Sequence, residues 1–192
     1  MRTTALCLLL VCTQFCIADW QLNSDHSVLN FVSIKNNQIA EVHRFLELSG
    51  TVNTEGLAQV DIKLASVETN IPIRNDRMKS MLFELDLFAT ASATAKLDIE
   101  EFAGLDTGTS QNADITLDLD LHGVKSPIAA KVKITRVTTN IWQVTSVQPM
   151  IINASAFNLD QGVEALRAIA IRWGSVVGVG YAEAFELIRS VR

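Results

Sequence analysis

The stretch that decides the fold runs from Ala113 to Arg136 and reads ADITLDLDLHGVKSPIAAKVKITR. In its first half Ile115, Leu117, Leu119 and Leu121 alternate with Thr116, Asp118, Asp120 and His122. Successive side chains of a strand point to opposite faces, so a period of two predicts one dry face and one wet face. His122-Gly123-Val124-Lys125-Ser126-Pro127 then supplies turn chemistry, glycine for an unusual φ and proline for a fixed one. The second half alternates again, Ile128, Ala130, Val132 and Ile134 against Ala129, Lys131, Lys133 and Thr135. An antiparallel hairpin with one buried face follows.

The same logic extends outward on both sides. Ala91, Ala93, Ala95, Leu97 and Ile99 alternate with Thr90, Ser92, Thr94, Lys96 and Asp98. Ala58, Val60, Ile62 and Leu64 do so against Gln59, Asp61 and Lys63, after a turn at Asn53-Thr54-Glu55-Gly56. Ile39 to Val52 reads as one long strand, and Trp20 to Leu22 as a short one. Ser27 to Ile34 is apolar on both parities, as for a strand covered on each side. Pro72 opens a helix over Ile73 to Phe83, since proline suits a first helical turn. Glu101 to Asn112 reads as a loop, Ile141 to Gln148 as a strand, Gly162 to Arg172 as a second short helix, and Val176 to Leu187 as a last strand. This makes about eight strands at short spacing without βαβ alternation. The fold class expected is all-β, an eight-stranded antiparallel barrel of lipocalin-like architecture with one or two short helices.

With 48% hydrophobic and 19% charged residues, the 192-residue chain has the composition of a folded domain. Its net charge of −5 argues against a nucleic-acid partner, which needs a basic stripe. Residues 1–18 read as a cleavable secretory signal: Arg2 is a positive start, Ala5 to Val11 a short apolar run, and Cys16-Ile17-Ala18 a cut site. Lipidation is the competing reading, but Cys12 follows Val11 and Cys16 follows Phe15, where small residues are preferred. Cleavage after Ala18 leaves one domain, 19–192, free of cysteine and suited to an oxidising compartment such as the periplasm.

The order of motifs resembles the YceI-like family of exported lipocalin-like barrels. Trp20 and Asp25-His26-Ser27-Val28 stand at the opening, followed by Ser49-Gly50-Thr51-Val52 and Ser66-Val67-Glu68-Thr69. Arg74-Asn75-Asp76-Arg77-Met78-Lys79-Ser80 with Phe83 matches the family's helix, and Leu119 to Pro127 its central turn. The chain departs from that pattern at Asn75, at Arg77 and at Phe88-Ala89-Thr90. The resemblance implies a non-catalytic barrel whose apolar lumen holds a polyisoprenoid, a quinone-type molecule or a related lipid, with no further cofactor.

The residues themselves supply a motive for such a ligand. Phe31, Phe45, Phe83, Phe88, Trp142, Phe157 and Trp173 are the ligand-binding candidates, because aromatic bodies line most small-molecule pockets; plain core is the competing role for each. Alanine on an inward face would leave room in a barrel that larger side chains would fill. His26 and Ser27 are adjacent on a strand and face apart, so they make no nucleophile–base pair. No elbow, phosphate loop or zinc-protease motif stands in the chain. His26, His43 and His122 lack a second metal ligand at short spacing, and no metal is expected. His122 reads as part of a solvated face with Asp118 and Asp120. A hydrolase built on His26 or His122 is the outlying alternative. The nearer one is an exported stress-response or interaction module whose barrel is filled by its own side chains. The partners expected are an apolar lipid, a membrane surface in passing, and a second copy through open edge strands.

Overall fold

The computed structural model describes residues 20–35, 39–159 and 169–178, with backbone alone for 33–35, 39–40 and 169–178. The signal segment 1–18 lies outside the described residues, as does the greater part of the expected second helix.

Twelve strand segments form one antiparallel sheet. They are β1 (Trp20–Leu22), β2 (Val28–Lys35), β3 (Ile39–Phe45), β4 (Leu48–Val52), β5 (Leu57–Lys63) and β6 (Val67–Glu68). After α1 (Pro72–Arg77) come β7 (Thr90–Lys96), α2 (Ile99–Ala103), β8 (Ser110–Leu121) and β9 (Val124–Arg136). Then follow β10 (Ile141–Ser146), β11 (Met150–Ile152) and β12 (Ile169–Gly178). Pairing runs β1-β4-β5-β7-β8-β9-β10-β12, and β12 pairs back with β1 through Gln21↔Gly178 and Leu22↔Val177. The sheet therefore closes on itself. β2, β3 and β6 continue the lines of β1, β4 and β5, and β11 that of β10, so the expected eight strands are present with four of them broken.

The breaks have a chemical repair. Between β3 and β4 the Ser66 hydroxyl accepts from the N–H groups of Leu46 and Glu47 at 3.1 and 3.0 Å and donates to the Lys63 carbonyl at 2.6 Å. The buried hydroxyl thus satisfies the Glu47 N–H and shares the Leu46 N–H with the Ser66 carbonyl, 3.1 Å away. The Ser24 hydroxyl donates to the Leu48 carbonyl near the gap between β1 and β2.

The central hairpin pairs from Ser110↔Thr135 to Leu121↔Val124. Its turn is tighter than the expected six residues: His122 and Gly123 alone form it, with φ of 52° and 74°. Two successive positive φ values match the right-handed twist of the flanking strands. Pro127 lies inside β9, opposite Asp118. β10 pairs with β9 only from Val132 to Arg136, so from Val124 to Ala130 β9 has β8 on one side and no paired strand on the other among the described residues.

Other boundaries also move. The expected loop from Glu101 to Asn112 is structured at both ends, by α2 and by the start of β8. The Asp98 carboxylate accepts from the Glu100 N–H at 3.1 Å, which caps a helix too short for apolar periodicity to reveal. Residues 169–172, expected as helix, belong to β12, which starts earlier than the expected last strand and is described to Gly178. The helix after Pro72 stands where expected; α1 widens into a π-type turn over Met78–Leu82. No helix of the described residues is long and apolar enough to cross a membrane.

Candidate functional site

The barrel has two unlike ends. At one end α1 and its π-type turn bury Met78, Leu82 and Phe83. Phe31 and Phe45 stack at 5.1 Å, Phe45 meets Phe83 at 5.8 Å, and the His43 ring tilts on Phe31 at 5.1 Å. Aromatic pairs at these separations add to the gain from burial alone. The helix is tied down by Asn75, whose side-chain oxygen accepts from the Thr69 N–H and hydroxyl at 2.9 and 2.6 Å. Its amide donates to Glu68 at 3.1 Å. That bond, with a second from the Asn70 N–H, holds the Glu68 carboxyl below its ordinary range. Arg74 pairs with Glu41 at 2.9 Å on the same side.

Toward the other end the wall is made of small residues. The register sets Ala58 against Ala95, Val60 against Ala93 and Ile62 against Ala91. Opposite them stand Ala130, Val132 and Ile134. Gly50 lets the neighbouring strand come close, since a Cβ there would lie 2.7 Å from the Gln59 carbonyl oxygen. Methyl groups cannot meet across a barrel of this size, and an apolar cavity of about 70 Å³ remains between Gly50, Ala58, Ala93, Ala95, Leu117 and Ala130.

Val52, Leu97, Ile134 and Val144 line both this cavity and a second one of about 350 Å³ at the mouth. The mouth cavity is framed by Trp20, Ile99, Phe102, Ala103 and Trp142, with Arg136 and Thr139 as its polar lining among the described residues. Its size is in the range of small-molecule sites, roughly 300–1,000 Å³. Phe102 reaches it because α2 lies across the opening with that ring buried. Arg136 reaches it because β9 alternates: it has the parity of Ile128, Ala130, Val132 and Ile134, and so ends the dry face with a cation. The register pairs Arg136 with Trp142, and the guanidinium carbon lies 5.4 Å from the indole centroid. Nη1 donates to the Leu105 carbonyl at 2.8 Å. Nε is buried and has no hydrogen-bond partner.

Of the residues expected to touch a ligand, Trp142 lines the mouth. Phe31, Phe45 and Phe83 pack on one another at the closed end, and Phe157 is buried in the core in a short helical turn after β11. Phe88 is half-buried against the His122 ring at 4.2 Å. Trp173 is on β12, and its side chain lies outside the described residues. Trp20, Phe102 and Arg136 are lining residues that pattern reading passes over, although the parity of Arg136 was there to be seen.

His122 needs a correction. It is not on a solvated face: its positive φ turns the ring inward, where it is buried, with Nε2 2.9 Å from Glu84. His26 is exposed while Ser27 beside it is buried. Among the described residues no three His, Cys, Asp or Glu side chains gather as for a metal.

The model of the YceI-like domain matches residues 20–180. A polyisoprenoid binding domain from Saccharophagus degradans, implicated in plant cell wall breakdown, is 32% identical with a TM-score of 0.82, over 85% of this chain and 99% of that one. Burkholderia cenocepacia BcnA is 18% identical at a TM-score of 0.65, covering 82% of this chain and 99% of its own. A mutant CJ YCEI protein is 17% identical at 0.57, covering 92% and 98%. The latter two likenesses are of fold. No curated protein matches the chain. The matched span and the shared fold agree, and the chain belongs to the YceI-like family.

Proposed function

We propose that this protein is an exported lipid-binding protein that takes a long isoprenoid-type chain, of the polyprenyl or quinone kind, into the lumen and sequesters or carries it. The observation that carries this reading is the pair of adjoining apolar cavities, one at the mouth and one in the alanine-lined interior, that share Val52, Leu97, Ile134 and Val144 as walls. A flexible chain of methyl-branched units gains about 25 cal/mol for each Å² of apolar surface removed from water, so such a tail needs few polar contacts. The likeness to a domain described as polyisoprenoid binding supports the same choice of cargo. Export to the periplasm rests on residues 1–18, with their positive start, apolar run and small-residue cut. The protein acts by binding: His43 packs on Phe31 and His122 on Phe88 and Glu84, structural positions away from the mouth.

Native mass spectrometry of the protein purified from its own host, followed by solvent extraction and lipid analysis, tests the reading. A stoichiometric adduct released as a prenyl lipid is the expected result. A bare protein that also refuses added polyprenyl lipids would overturn it.

A further inference from the structure

We infer that Arg136 selects the head group of the cargo, and that this head group is an anionic oxygen acid, a phosphate or a carboxylate. The inference rests on the lipid-binding reading and deepens it. An arginine side chain carries five N–H donors and a permanent charge. At Arg136 one donor is taken by the Leu105 carbonyl, while Nε is buried and has no partner. No carboxylate pairs with this guanidinium among the described residues; the acids of the adjacent helix, Glu100 and Glu101, are exposed, and Glu101 instead accepts from Gln111 at 2.7 Å. The Trp142 face and the apolar mouth surround the cation. A buried donor without a partner and a half-buried charge without a counter-ion both cost stability. A neutral acceptor could satisfy the donor but not the charge; an anionic oxygen does both, in the fork geometry that guanidinium offers to phosphates and carboxylates. The position fits an amphiphile. Arg136 stands at the wide end of the void, with the apolar interior beyond it, so the tail would run inward while the head stays at the opening.

Chain-matched probes separate the head from the tail: farnesyl monophosphate, farnesoic acid and farnesol, titrated by calorimetry into the full-length mature protein. The wild type should bind at least one of the acids about tenfold or more tighter than farnesol, and the better acid identifies phosphate or carboxylate as the source. Arg136→Met should remove the preference, so that the ratio of acid to farnesol affinity falls about tenfold or more toward one, whereas Arg136→Lys should keep part of it. Circular dichroism checks that each variant is folded. Equal binding of all three probes by the wild type, or an undiminished preference in Arg136→Met, would overturn the head-group inference while leaving the lipid-binding reading intact. Binding of none of them by the folded protein would overturn both.

Discussion

The two ends of this barrel belong to one closed ring of strands and do opposite things. At the closed end Phe31, Phe45, Phe83, Met78 and Leu82 meet across the interior and exclude water. At the open end the inward positions of β4, β5 and β7 hold Gly50, Ala58, Ala93 and Ala95, and a void persists. Both ends read as dry face in a hydrophobicity pattern. Side-chain volume, not polarity, divides stability from binding here: the large rings supply the packing energy, and the methyl groups supply the space.

Substitutions can break or sharpen that division. Phe31 is 1% exposed, and Phe31→Ala should cost about 3–5 kcal/mol in denaturant unfolding. Trp142→Ala at the half-buried mouth should cost under about 2 kcal/mol; equal losses at the two positions would end the distinction. Gly123→Ala comes next. Its φ is +74° and a Cβ would lie 2.8 Å from Phe88, so a loss of about 1–3 kcal/mol is expected from strain at the closed end.

A pH titration probes the same end. Burial first, then the Arg74 charge, holds the His43 imidazole below its ordinary value of 6.5, with Glu41 opposing. The unfolded chain therefore takes up a proton at this position before the folded one does. The stability contributed is full above pH 6.5 and is lost as pH falls from there through the lowered folded value. Unfolding free energies measured across that window should decline less steeply in His43→Gln than in the wild type; parallel slopes would refute the assignment. The smallest effect on stability is expected for Ala93→Leu, whose added carbons would enter the void at a cost of at most about 1 kcal/mol. Its effect should appear in binding, as lost uptake of prenyl lipid. Undiminished uptake would mean that the cargo does not pass the alanine wall.

The ring of strands was legible because alternation survives wherever one face is buried, as from Ile115 to Leu121 and from Ile128 to Ile134. The breaks were not. Ser66 repairs the gap between β3 and β4 from about twenty residues away, a contact that no local pattern announces. The mouth was legible in part. Aromaticity points to Trp142 on the same ground as to Phe31, Phe45 and Phe83, and it cannot tell a packed ring from a lining one. The alanine run on β7 carried better information, because a small inward residue signals space. Arg136 carried the most: a charge at the parity of a dry face must meet something, and the sequence shows the parity but not the partner.

From Val124 to Ala130 the outer edge of β9 has no paired strand among the described residues, and this bears on how the molecule behaves in a crowded compartment. A bare row of N–H and C=O groups invites a foreign strand to add on, and so to start aggregation. Within this stretch Pro127 removes one N–H donor from the row, and Lys125 stands beside it, 3.7 Å from Asp120 of β8. A strand approaching from outside would meet an interrupted ladder beside the Lys125–Asp120 pair. The hairpin that sets the register of the barrel also interrupts the ladder that an added strand would extend.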